Sequence, residues 1–423
     1  MDALYKYNFK KILPVKTNNP KAERTSYAGA YVYAKPGLYE NCTMFDVVSL
    51  YPSIIIAFNI GLDTKIKYGE SLYKKDKAFK APNGSYWLKE PSSILASIEK
   101  LLWDERTKYK KLAKETTDPK LQTKYNIQQG AYKICLNSLY GLFGMPYFRF
   151  YDPVIAETIT KTGVFIINMV KTFLESSQIE VVQVDTDGLT VVIPKDKTYL
   201  DILSDINNML ATYVKENGLN WNIQMDCKGV CDKVLVLKKK KYIIKFKDSQ
   251  EIKYVGVDVV RSDISEFAKR YVNKSVEKVL NDGITTSYND IAREIKAEVK
   301  REIYSAPITD IAVPKAIKKD IGDYKVKNPW TEGAELANVL FGEDIGGGEK
   351  PKMLYIKPIF INNKWYSSIA FIDPTKIDWS KITIDYGRML DQTIYPKLYA
   401  IFEWVMTWKE FQHLDTITLE KFF

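Results

Sequence analysis

Aspartates placed where a β-rich run gives way to a turn constrain this chain more than any other feature. DVVSLYPSIII (46–56) sets Asp46 at the end of such a run, just ahead of a turn that breaks at Pro52 into an apolar helical start. VDTDG (184–188) lies between two β-rich halves of IEVVQVDTDGLTVVI (179–193) and reads as a hairpin with acids at its tip. Asp185 and Asp187 flank Thr186, so strand alternation predicts that both face the same way. Between these segments, KICLNSLYG (133–141) spaces Lys133, Asn137 and Tyr140 at i, i+4 and i+7, which is one face of a helix.

Oxygen-rich clusters of this kind suit Mg²⁺, which keeps waters and takes one or two protein carboxylates plus substrate phosphates. Two acidic clusters that can share divalent ions, with a cation between them in sequence, suit nucleotidyl transfer. Composition narrows the alternatives. His413 is the single histidine, which excludes Ser–His or Cys–His pairs away from it and sites built from several histidines. Cys42, Cys135, Cys227 and Cys231 form no two-by-two ligand spacing, so reduced thiols are expected. Lysine and arginine number 62 against 52 acids, a net charge of +10 that fits a polyanionic partner. The 29 tyrosines can stack on bases and hydrogen-bond to them. The chain opens with no signal peptide, and no apolar run is expected to reach membrane-spanning length, so no membrane partner is expected.

Helical spacing runs from 92 to about 115, is broken by Asp118–Pro119, and resumes from about 121 to 143, which predicts an antiparallel pair of helices. Arg106 and Lys110 stand at i and i+4 on the first; by composition alone this is a solvated cationic face. A further strand region covers 234–247, interrupted by the lysine run 238–241, and a mixed helical pattern follows Arg261.

Taken in order, DVVSLYPSIII, KICLNSLYG and VDTDG resemble motifs A, B and C of the family B DNA polymerases. The resemblance implies that Asp46 and Asp187, with the backbone of Val47, hold two Mg²⁺ ions (Mn²⁺ as a substitute), and that Asp185 is a supporting catalytic acid. It implies backbone amides at Ser49 and Leu50 around the incoming phosphates, and Tyr51 as a ring beneath the deoxyribose that would collide with a 2′-hydroxyl. The segment ERTKYKK (105–111) resembles the family's first fingers helix, which sends Arg106 and Lys110 to the outer phosphates and Lys133 to those near the leaving group. Asn137, Tyr140 and Gly141 would then border the dNTP and the nascent base pair. YAGA (27–30) resembles the template-contacting motif, with Tyr27 and Gly29 toward DNA. KKKY (239–242) resembles the family's duplex-binding motif, with Lys239, Lys240, Lys241 and Tyr242 on the primer–template; its place in the chain, more than its composition, carries that likeness.

The fold expected from this resemblance is an α+β right hand. A lead-in (1–26) precedes an antiparallel-sheet palm (27–91 and 146–258), a helical fingers hairpin (92–145), a thumb (259–410) and a tail (411–423). The family normally carries a 3′→5′ exonuclease with a D-x-E motif ahead of the palm. No D-x-E occurs here, so the polymerase half alone is expected, with a separate exonuclease chain as partner. The intervals around Asp46 leave no room for the insertions of protein-primed relatives, which points to a nucleic-acid primer. In TITLEKFF (416–423), Leu419, Phe422 and Phe423 follow the spacing of sliding-clamp peptides, and the alternative is that they fold back on the thumb. Together these features point to a phage replisome in the cytoplasm of an infected bacterium. The rival readings are a catalytically inert, DNA-binding scaffold subunit, which the intact acids oppose, and a polymerase of ribonucleotides or RNA templates, which Tyr51 opposes in part.

Overall fold

The computed structural model describes residues 29–66, 77–257, 262–326 and 328–414. Tyr27, the lead-in and the tail residues Leu419, Phe422 and Phe423 lie outside them. The chain divides into two compact units: one takes the described residues of Met1–Ala34 and Asn41–Cys231, the other those of Lys35–Glu40 and Asp232–Phe423.

The first unit is built on strands in the order β1 (Val32–Ala34), β5 (Val181–Asp185), β6 (Gly188–Val192), β2 (Gly37–Val47, from Asn41 on) and β7 (Met225–Lys238, up to Cys231), with a separate two-stranded sheet of β3 (Ala78–Lys80) and β4 (Tyr86–Leu88). Register brings the acid segments together: Asp46 pairs with Gly188, and Gly188 pairs in turn with Asp185. Gly188 is required here, because a Cβ on it would stand 3.0 Å from the Phe45 carbonyl and 3.4 Å from the Asp46 carboxylate. Helix α1 (Leu50–Ala57) follows β2 directly, and its Ile54 and Ile55 are fully buried. The hairpin expected from the two helical runs is present. Helix α2 (Ile94–Glu115) and α3 (Pro119–Phe143) pack along each other, with Asp118 capping α3 through the Lys120 amide at 2.8 Å and Pro119 in its first turn.

The start of α2 is fixed by polar contacts. Asn59, at φ 52°, accepts from the Ser93 amide at 2.7 Å and donates to the Leu88 and Pro91 carbonyls. Ser93 caps α2 by accepting from the Ala96 amide. Buried residues on α2 cluster in the first two turns, with Ala113 near the far end, and on α3 only Leu136 and Phe143 are buried.

Helix α4 (Pro153–Ser176) corrects the expectation that no apolar run reaches membrane-spanning length, since by length and composition it does. Its inner face packs into the core of this unit through Ile155, Ile159, Ile166, Val170 and Leu174, all fully buried, so it is a core helix. Helix α5 (Tyr199–Glu216) completes the layer on a capping box at Thr198 and Asp201.

In the second unit β7 continues into β8 (Lys241–Phe246) and β9 (Ile252–Val255). The lysine run is the β7–β8 turn, with Lys240 at φ 61°; Lys239 and Lys240 are exposed while Tyr242 turns into the core. Helices α6 (Glu266–Asp282), α7 (Tyr288–Glu302) and α8 (Pro329–Phe341) and the β-pair β11 (Lys352–Ile361) and β12 (Lys364–Phe371), with β10 (Val313–Pro314) on its edge, share a core of their own. All four cysteines are free, as expected. The whole is the mixed helix and antiparallel-sheet class expected from the sequence.

One buried carboxylate tests the packing at the base of α2. Glu99 is fully buried, neither of its carboxyl oxygens has a hydrogen-bond partner among the described residues, and burial pushes it from 4.5 up to about 8. Across that window the folded chain keeps a proton that the unfolded chain has released, so stability falls as pH rises through it. Glu99→Gln is therefore expected to raise the melting temperature by a few degrees at about pH 8 and by little at about pH 5. Equal shifts at both pH values in thermal melts would remove titration from the explanation.

Candidate active site

Within the first unit, Asp46 ends the paired part of β2 and Asp187 sits in the turn between β5 and β6. A backbone bond from the Val47 amide to the Asp187 carbonyl, 2.8 Å, locks the two segments together. The next amide, Val48, donates to the Gln224 carbonyl at 2.9 Å, which ties the same turn to the residue before β7. Ser49 then enters α1 at φ 49°, a left-handed conformation that a non-glycine residue adopts at a cost.

Strand alternation is not what directs the hairpin acids. Thr186 is left-handed at φ 64°, and the Asp187 amide turns back to the Asp185 carbonyl at 2.8 Å, so Asp187 belongs to a tight turn rather than a strand. Asp187 lines the cavity with Asp46, whereas Asp185 does not line it and accepts from the Thr186 hydroxyl. A tight turn, in place of the strand geometry expected, therefore sets Asp187 relative to Asp185.

The cavity holds about 490 Å³. Its acids are Asp46, Asp187 and Asp226; its cations are Arg106 and Lys110 from α2, Lys133 from α3 and Lys228 from β7. Val47, Ser49 and Asn137 also line it, as the motifs require, together with Trp103 and Thr107. Arg106 donates to the Ser49 hydroxyl at 3.0 Å, and its Nε is buried without a hydrogen-bond partner. Leu50 is buried and does not line the cavity.

The acids are held against their own repulsion. Burial pushes Asp46 up to about 6, the Asp187 charge adds to the rise, and Lys228 and Lys133 pull it back. Asp187 is raised by burial too, against its own backbone hydrogen bond, with Asp185 pushing it further up. One Asp46 oxygen, Oδ1, is buried with no hydrogen-bond partner. Among the described residues no three His, Cys, Asp or Glu side chains converge as a ready-made ligand set. Two carboxylates with an orphaned buried oxygen nevertheless fit a hard divalent ion that takes its remaining ligands from water and phosphate.

Tyr51 stands beside this cavity in a braced position. Its hydroxyl donates to the Gly29 carbonyl at 3.0 Å, and its ring meets Tyr140 at 4.5 Å between centroids. From α4, Gly163 lies beneath it: a Cβ there would stand 3.4 Å from the Tyr51 ring and 3.2 Å from Leu50. Tyr140 thus shares its helix face with Lys133 and Asn137, as the spacing predicts, and Gly141 follows it on α3. Lys239, Lys240, Lys241 and Tyr242 belong to the second unit.

Sequence reading missed Asp226, Lys228 and Trp103. The signal for the first two was available: Asp226 and Lys228 alternate with Met225 and Cys227 along β7, and the Cys227 sulfur lies 3.5 Å from the Thr43 hydroxyl. The strand was placed too late in the sequence for that alternation to be noticed.

The sequence matches DNA polymerase family B over residues 4–405. It is 28% identical over 401 residues to the DNA polymerase alpha catalytic subunit of Xenopus laevis, covering 91% of this chain and 27% of that protein. It is 31% identical over 318 residues to a DNA polymerase of Thermococcus gorgonarius, covering 72% of this chain and 39% of that one. The chain therefore spans well under half the length of these relatives. In fold it resembles the family B DNA polymerase of the hyperthermophilic archaeon Pyrobaculum calidifontis, with a TM-score of 0.69 and 23% identity over 95% of this chain and 50% of that one.

Removing an acid charge that burial and the neighbouring Asp187 already disfavour should stabilise the molecule. Asp46→Asn is expected to melt higher than the parent by a few degrees at about pH 7.5 in chelator, where the parent acid, raised to about 6, is ionised. The sign follows from a folded value above the ordinary one, so stability is lost as pH rises through the window below about 6. A lower melting temperature would mean that the pair with Lys228 outweighs the repulsion.

Proposed function

Because the chain belongs to DNA polymerase family B, we propose that it extends a nucleic-acid primer on a DNA template with deoxynucleoside triphosphates, releasing pyrophosphate. The observation that carries this reading is the single cavity in which Asp46 and Asp187 face Arg106, Lys110 and Lys133. Acids and cations gathered in one cavity suit a polyphosphate brought in with divalent ions, Mg²⁺ or Mn²⁺.

Asp46, Asp187 and the Val47 backbone are the residues that would hold those ions, with Asp185 behind them. Bound there, two divalent ions supply activation of the primer 3′-hydroxyl and charge neutralisation at the phosphates. The protein's own part is positioning. Arg106 and Lys110 hold the outer phosphates, and the Ser49 and Leu50 amides meet them at the start of α1. The Lys133 ammonium stands where charge develops on the leaving group. The Tyr51 ring, fixed by Gly29, Tyr140 and Gly163, supports the sugar and excludes a 2′-hydroxyl; Asn137, Tyr140 and Gly141 border the new base pair. Gly29, Lys239, Lys240 and Lys241 engage primer–template phosphates, with Tyr27 joining them, while the buried Tyr242 braces the turn that carries the lysines.

The finer reading assigns palm, fingers, thumb and tail to the spans given by the motifs. It adds a sliding clamp bound through Leu419, Phe422 and Phe423, a separate exonuclease chain, and work in a phage replisome in the cytoplasm of an infected bacterium. Support for the clamp comes from the spacing of the tail's apolar residues.

Primer extension tests the core of the proposal. Asp187→Ala is expected to lower extension by about a thousandfold while binding to primer–template persists, since the acids act on the reaction and the duplex is held elsewhere. An inert scaffold predicts equal, null extension for parent and variant. Tyr51→Val should raise ribonucleotide use relative to deoxynucleotide use by about 10–100-fold in single-nucleotide insertion. Unchanged sugar discrimination with a lowered melting temperature would make Tyr51 a packing residue.

A further inference from the structure

Lys228 is the one cation of the cavity that none of the motifs accounts for. It comes from β7, two residues after Asp226 on the same exposed face, and its ammonium lies 3.5 Å from Asp46 Oδ2. Nearly half of its side chain is exposed, against 29% for Asp46. The other Asp46 oxygen has no hydrogen-bond partner, so Lys228 is the close ion-pair partner this acid has among the described residues.

We propose, resting on the reading of Asp46 as a divalent-ion ligand, that Lys228 is a resident counter-ion which the incoming ion must displace. Three features make the exchange workable. The pair is partly exposed and only moderately close, which keeps it weak. Of the other cavity cations, Arg106 is engaged with Ser49, and Lys133 acts on Asp46 through its charge at longer range. The displaced ammonium also has anions to meet in the same cavity, at Asp226 and at any bound polyphosphate. Lys228 therefore sets the cation concentration at which the free chain loads, by two effects of the same sign: it occupies an Asp46 oxygen, and it repels a divalent ion near that oxygen.

Mn²⁺ binding to the full chain, followed by the electron paramagnetic resonance signal of the free ion without DNA or nucleotide, tests this. Lys228→Met is expected to tighten Mn²⁺ binding about tenfold, and Lys228→Arg to leave it near the parent value. Asp46→Asn is expected to weaken binding strongly, and adding Lys228→Met to it should then change nothing further. Unchanged or weaker binding in Lys228→Met, with Asp46→Asn still weakening it, overturns the counter-ion role and leaves the proposed site intact. Binding that is indifferent to Asp46→Asn removes the Asp46 seat itself, and the counter-ion with it.

Discussion

One backbone hydrogen bond, from the Val47 amide to the Asp187 carbonyl, organises the first unit. It closes the end of β2 onto the β5–β6 turn and so brings two acids into one cavity, where burial raises both, the Asp187 charge adding to the rise at Asp46 and the Asp185 charge to that at Asp187. Acids left to themselves would separate into water. They stay together because the strands bearing them are committed elsewhere: Phe45, Val184 and Leu189 are buried in the core, and Gly188 lets β6 approach Asp46 closely. The apolar core thus holds an electrostatic arrangement that only a cation relieves.

The same logic extends outward from that bond. Val48 bonds to Gln224, which brings the start of β7, with Asp226 and Lys228, to the cavity. Ser49 takes a left-handed conformation and is held by Arg106, so the phosphate-facing turn is braced from a helix well removed in sequence. Tyr51 is fixed by a carbonyl at its hydroxyl, a ring at its edge and a glycine below. Each is a contact between segments far apart in the chain, which is what makes the site a property of the fold rather than of its motifs.

How much of this the sequence disclosed follows from the range of the interaction concerned. Asp46 before a turn, the β5–β6 hairpin and the two-helix hairpin are local patterns, and each is found where periodicity and turn residues place it. Asp187 joins Asp46 at the cavity, but through a turn rather than through strand alternation, and a single threonine carries no advance notice of the left-handed φ that makes that turn. Asp226 and Lys228 were missed since MDCKGVCDK is half polar and interrupted by Gly229, so the strand was read only from its apolar end. Glu99 is a charged residue in a helical pattern that otherwise carries charge toward water, and its full burial at the start of α2 is a product of tertiary packing. Helix α4 shows the converse, a segment whose length and apolarity alone do not distinguish a core from a bilayer.

The α2–α3 hairpin is anchored unevenly, and its mechanics follow from that. Asn59, Ser93 and the buried residues of the first two turns grip α2 at one end, while most of α3 buries nothing. At helical rise, Arg106 lies about 18 Å from Ile94 and Lys110 about 24 Å. A swing of only about 10° at the gripped end would carry the Arg106 backbone about 3 Å, enough to make or break its bond to Ser49. The hairpin is in effect a stiff arm on a short pivot, which converts small adjustments among a few buried side chains into strokes as long as a hydrogen bond.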